Sequence, residues 1–150
     1  NQSHSITADV EIPKNGANGV ILAQAGRFGG WSLYVKDGKP TYTYNWLGQQ
    51  RYTIVGKQAL PAGKSTIRFE FAYDGNGVGK GGDATIFVNG TKAVTGRIEK
   101  TQCCAYSADE GADVGADEGT PVTEVYKVPF KFTGKIDKVT IELKESKKAQ

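Results

Sequence analysis

The run SADEGADVGADEGTPV, residues 107–122, holds Asp109, Glu110, Asp113, Asp117 and Glu118 and no basic residue. Calcium takes about six to eight oxygen ligands, supplied by carboxylates and backbone carbonyls, and a glycine-rich acidic loop can wrap such an ion. Asp109, Asp113 and Asp117 recur at intervals of four and are the candidate calcium ligands. The spacing is not that of an EF-hand, which places acidic residues at alternate positions and then a glycine and a later Glu. Nor does one loop readily hold two carboxyls at the separation that glycoside hydrolysis needs. The residues read first as an acidic loop facing solvent or a partner surface, with calcium as the alternative.

Other groups with chemical potential are few. The one histidine, His4, has no companions near it in sequence, whereas catalytic triads and zinc sites need partners for the imidazole. Cys103 and Cys104 are adjacent; neighbouring Cα atoms lie about 3.8 Å apart, short of the usual disulfide span of about 4.4–6.8 Å, so free thiols are expected. GNGVGKGG, residues 75–82, has the glycines of a phosphate loop. Its Lys80 precedes Gly81 instead of Ser or Thr, and both flanks alternate like strands, which predicts a hairpin loop. RFGG, residues 27–30, predicts another tight connection, with Arg27 at its tip. Asn89-Gly90-Thr91 fits a glycosylation sequon, although a hairpin turn accounts for the same residues.

Aromatics crowd one region: Trp31, Tyr34, Tyr42, Tyr44, Trp46 and Tyr52. Alternating aromatics pack sandwich cores, where each buries about 150–250 Å². A row of exposed ones would instead stack on sugar rings. Tyr34 shares its strand face with Ser32 and Lys36, so it is the aromatic expected outside. Tyr34, Arg27 and Arg51 are the candidate glycan contacts.

The elements that must position these groups are strands. Ile67, Phe69, Phe71 and Tyr73 alternate with Arg68, Glu70 and Ala72. The same period of two runs through Trp31–Val35, Thr41–Trp46 and Val139–Leu143, as in half-buried strands. Asp37-Gly38 and Asn89-Gly90 supply the positive φ angles of tight hairpin turns. Further strands are predicted near 5–12, 19–26, 51–56, 92–99 and 127–132, with a short turn near 108–118 and no helix. Many short strands between close turns predict an all-β, antiparallel two-sheet sandwich.

One domain fits 150 residues, with KESKKAQ a frayed tail over about 145–150. The 20 glycines agree with many turns. A net charge of +3 gives no case for nucleic acid. No apolar run approaches the roughly 20 residues of a membrane helix, and no signal peptide is visible. The absence of an initial Met suits a mature protein or an excised domain.

The ordered set HSITADVEIP, GVILAQAGRFGGWSLYVKDGKPTYTYNW, RFEFAYDG with GKGGDATIFVNG, DVGADEGTPV and VPFKFTGKIDKVTIEL covers most of the chain. It resembles the C-terminal, non-catalytic domain of bacterial type I arylsulfatases, a jelly roll similar to the concanavalin A and laminin G class. Those enzymes use a formylglycine made from Cys or Ser in a C/S-x-P-S-R motif, beside calcium, in a separate N-terminal domain. Here the cysteines read CCAYS, so no catalytic residue carries over. The resemblance implies an accessory sandwich that performs no chemistry alone and needs no cofactor. Its implied partner is a sulfatase catalytic domain in the same polypeptide, and its implied location periplasmic or secreted. A lectin-like module for sulfated or other glycans is the alternative.

Overall fold

A computed structural model describes residues 3–26, 29–75, 80–101, 112–115 and 130–143. Ten strands are found among them: β1 His4–Ile12, β2 Gly19–Gly26, β3 Gly29–Lys36, β4 Lys39–Trp46, β5 Gln50–Val55, β6 Gly63–Tyr73, β7 Lys80–Val88, β8 Thr91–Lys100, β9 Ala112–Val114 and β10 Lys135–Leu143. They form two five-stranded sheets. Sheet A runs β10-β1-β6-β7-β8 and sheet B runs β5-β4-β3-β2-β9. All strand pairs are antiparallel. The fold is the all-β sandwich that the alternation predicts. No helix of the described residues is long and apolar enough to cross a membrane.

The predicted turns act as pins. Asp37 and Gly38 have φ of 53° and 77°, and Asn89 and Gly90 of 50° and 82°. That is the left-handed pair a two-residue hairpin needs to match strand twist. Asn89 adds side-chain bonds: its Oδ1 accepts from Thr66 N at 2.8 Å, and its Nδ2 donates to Ser65 Oγ at 3.5 Å. A third left-handed pair, Leu47-Gly48 with φ of 53° and 72°, opens the three-residue connection 47–49 between β4 and β5.

The core lies between the sheets. Ile6, Ala8, Val10 and Ile12 project inward from β1, and Ile67, Phe69 and Phe71 from β6. Sheet B answers with Leu33, Val35, Tyr42 and Tyr44. Tyr42 stacks on Phe69 across the interface, ring centroids 3.8 Å apart and planes 13° off parallel. A bulge in β2 between Val20 and Leu22 shifts the register. It turns Ile21 and Leu22 both toward the main core, while Val20 and Ala23 belong to a second apolar cluster.

That second cluster lies on the outer face of sheet B. Val20 and Ala23 pack there with Tyr34 and the half-buried Phe130. Residues 130–133 are held by backbone bonds: Val20 N donates to Phe130 O at 2.9 Å, Phe132 N to Gly115 O at 2.8 Å and Thr133 N to Asn18 O at 2.8 Å. Lys131 makes an isolated parallel bridge to Val20. The strand predicted near 127–132 is therefore, over 130–132, one bridge and not a strand; residues 127–129 lie outside the described set. The turn predicted near 108–118 is corrected over 112–114, where β9 pairs with β2. A short acidic stretch is drawn into strand there by the open edge of β2.

Candidate binding site

The outer face of sheet B carries the polar residues that alternate with the core. Cross-strand partners share a face, so the register sets out rows. One row is Val55, Thr41, Tyr34 and Val20; the next is Thr53, Thr43, Ser32 and Ala23; a third places Arg51 opposite Asn45. Tyr34 and Arg51, two of the three candidate glycan contacts, stand on this one face. Arg27 lies outside the described residues.

The alternation places Tyr34 on its predicted face, but its exposure is corrected. Tyr34 is 1% exposed. Its ring meets Phe130 edge-on, with centroids 6.5 Å apart, and Val20 and Ala23 flank it. Burial pushes its ionisation up, and the hydrogen bond to Thr43 pulls it partly back. The phenol lies 2.9 Å from Thr43 Oγ1, which lies 3.0 Å from Thr53 Oγ1. This chain of hydroxyls runs from buried Tyr34 across β4 to exposed Thr53. Ser32, Thr41, Thr43 and Asn45 are buried along with it.

The face opens at the β3–β4 turn. A cleft of about 290 Å³ there is lined by Tyr34, Lys36, Asp37, Lys39, Thr41 and Thr53, with Val55 at its edge. Its wall is fixed from outside, because Asn18 Oδ1 accepts from Asp37 N at 2.7 Å. Two ammonium groups, one carboxylate and two hydroxyls converge on a small apolar floor. Such a set can hold a polyhydroxylated ligand bearing an anionic group: lysines take the anion, Asp37 accepts from hydroxyls, Thr53 does either, and Thr41, whose hydroxyl donates to Lys39 O at 3.2 Å, accepts. Lys36 and Lys39 carry no signature in the alternation that marks them as site residues. Only the turn they flank, read with the exposed edge of β5, brings them beside Thr53.

Most of the aromatic row is taken up by the core. Trp31, Tyr42 and Tyr44 are buried, and Trp46 and Tyr52 pack partly buried against the core. Lys100 Nζ sits 4.8 Å over the Trp46 ring. His4 is set among rings, 5.5 Å from the Phe71 centroid and 6.0 Å from that of Phe69.

Asp109, Asp117, Cys103 and Cys104 lie outside the described residues. Asp113 is in β9, its backbone paired with Ala23. Among the described residues no group of three or more His, Cys, Asp or Glu could hold a metal ion.

No family model and no curated protein matches the chain. Solved structures do, at fold level. Domains LG4-5 of the mouse laminin alpha1 chain match with a TM-score of 0.66 and 13% identity, over 95% of this chain and 37% of that one. The CBM40 of the Ruminococcus gnavus IT-sialidase, bound to alpha2,3 sialyllactose, matches with a TM-score of 0.63 and 15% identity, over 94% of this chain and 76% of that one. The botulinum neurotoxin type G receptor binding domain matches with a TM-score of 0.56 and 15% identity, over 95% of this chain and 33% of that one. This chain thus spans little more than a third of the laminin structure. At these identities the likeness is one of fold, and the fold is a laminin G-like jelly-roll β-sandwich.

Proposed function

We propose that this chain is a non-catalytic carbohydrate-binding β-sandwich that takes an anionic saccharide in the cleft at the β3–β4 turn. The observation that carries the reading is the convergence of Lys36, Lys39, Asp37, Thr41 and Thr53 around that cleft. With Trp31, Tyr42 and Tyr44 buried in the core and Tyr34 packed under Phe130, recognition rests on charge and hydroxyl hydrogen bonding instead of ring stacking. The sialyllactose-bound CBM40 of the same fold supports an acidic sugar as the ligand class. The test is saturation-transfer NMR against a panel of sialylated, sulfated and neutral oligosaccharides. Binding confined to the acidic members supports the reading; binding of neutral sugars alone removes it.

A second reading concerns what the module serves. The resemblance of its sequence to arylsulfatase C-terminal domains supports an accessory role beside a sulfatase catalytic domain in the same polypeptide, in a periplasmic or secreted enzyme. The acidic run 107–122, including Asp113 and Asp117, is then a docking element, with bound calcium the rival role. Replacing both with Asn should weaken association with a separately expressed catalytic domain and leave the sandwich folded. Unchanged association would remove the docking role.

A further inference from the structure

A second cleft lies beyond the connection between β5 and β6, residues 56–62. Its volume is about 530 Å³, and its lining includes Lys57, Gln58, Leu60, Val88, Thr91 and Lys92. Leu60 is buried and forms an apolar base with the half-buried Val88, while Lys57 and Lys92 are exposed. The lining holds two lysines and no carboxylate. In the sheet-face cleft, by contrast, Asp37 offsets one of two lysines.

Both walls are preformed. The β5–β6 connection is tied to the β3–β4 hairpin by Gly56 N donating to Pro40 O and Leu60 N donating to Gly38 O, each at 2.8 Å. The opposite wall is the β7–β8 hairpin, which Asn89 staples to Thr66 through a backbone and a side-chain bond, also each at 2.8 Å. A cleft in the usual size range of about 300–1,000 Å³, with fixed walls, an apolar base and a few polar groups, has the form of a ligand site. Its charge selects the ligand.

We propose that this cleft is a second, anion-selective saccharide subsite. Lys57 and Lys92 take a sulfate or carboxylate, Gln58 and Thr91 bond ring hydroxyls, and the apolar face of the ring lies over Leu60 and Val88. Lys36 and Lys39 stand on the other side of the β3–β4 turn to which the connection is tied. One acidic oligosaccharide can therefore run over the connection and engage both clefts, with the gain in affinity that linked sites give. The spanning ligand rests on the function proposed above; the Lys57–Lys92 subsite does not.

The experiment is titration calorimetry of the intact chain with three hexasaccharides, one sulfated, one bearing only uronate carboxylates and one neutral, and with a sulfated disaccharide. The wild type should bind the sulfated hexasaccharide and not the neutral one. Uronate binding would assign the anion as either group, and its absence would assign sulfate; both support the subsite. Lys57→Ala/Lys92→Ala should weaken the sulfated hexasaccharide about five- to tenfold, since each exposed ion pair contributes modestly. Its thermal midpoint should match the wild type. Lys36→Ala/Lys39→Ala should weaken disaccharide binding at least about fivefold and leave residual binding of both sulfated sugars that the other pair removes. An unchanged disaccharide affinity in Lys36→Ala/Lys39→Ala with an intact Lys57/Lys92 effect would overturn the sheet-face cleft alone. An unchanged hexasaccharide affinity in Lys57→Ala/Lys92→Ala would overturn the subsite, as would equal binding of an oligonucleotide of matched charge.

Discussion

The phenol oxygen of Tyr34 lies 2.9 Å from the hydroxyl of Thr43, and this contact joins two buried side chains on the outer face of sheet B. Thr43 has a second partner in Thr53 at 3.0 Å. Removing the phenol oxygen therefore leaves Thr43 still hydrogen-bonded. Tyr34→Phe should cost about 1 kcal/mol, the net worth of one such bond. Tyr34→Ala should cost about 3–5 kcal/mol, as large-to-small aromatic truncations in packed sites do. Urea unfolding of the two variants measures both, and equal effects would mean that Tyr34 is not packed.

The same burial makes a pH prediction. Tyr34 ionises above the usual tyrosine value because burial disfavours the phenolate. The folded state thus holds the neutral phenol past about pH 10, the ordinary value, where the unfolded chain begins to ionise. Stability is complete below that pH and falls as pH rises through the higher folded value. Tyr34→Phe should flatten this alkaline loss in part. Tyr52, raised by burial and by Glu99, keeps a share of it. Thermal midpoints from pH 8 to 11.5 read the difference, and parallel curves would contradict it.

β8 of sheet A meets β5 of sheet B. A Cβ on Gly96 would lie 2.3 Å from Ile54 Cγ2. Gly96→Ala should destabilise by about 1–3 kcal/mol, as overpacking does. Ile54→Ala removes the obstructing methyl, so the double variant should lose less than the sum of the singles. A double-mutant cycle measures the coupling; additive losses would deny the contact.

Gly19 holds the crossing of residues 130–133 over β2. Its φ is +115°, and a Cβ there would fall 2.0 Å from the carbonyl oxygen of Lys131. Backbone cannot yield as a side-chain tip can, so Gly19→Ala should cost at least about 2 kcal/mol. It should also raise hydrogen exchange at Val20 and Phe132, whose amides are bonded across that crossing. Unchanged protection at both would sink this account of the crossing.

Much of the sandwich was legible in the alternation. The Asp37-Gly38 and Asn89-Gly90 hairpins lay within a few residues of sequence, and their chemistry is local. Leu47-Gly48 gave less warning, because Leu rarely adopts positive φ. Tyr34 shows the limit of period-two reading: alternation names the face but not what covers it. Its cover includes Phe130, nearly a hundred residues away in sequence. β9 was hidden for the same reason, since three residues in an acidic run become strand only because Leu22, Ala23 and Gln24 leave an edge to pair. The site was fainter still. Tyr34 and Arg51 fell on one face by register, yet Lys36, Lys39 and Thr53 meet only once β3, β4 and β5 are laid side by side.

The central claim is that the sheet-face cleft binds an anionic sugar through its lysines. Its most direct test is calorimetric titration of the wild type and of Lys36→Ala/Lys39→Ala with sulfated lactose and with lactose. The account predicts binding of the sulfated sugar alone, weakening as salt rises, and at least about fivefold weaker binding in the variant. Equal affinity for lactose, or an unchanged affinity in the variant, would contradict it.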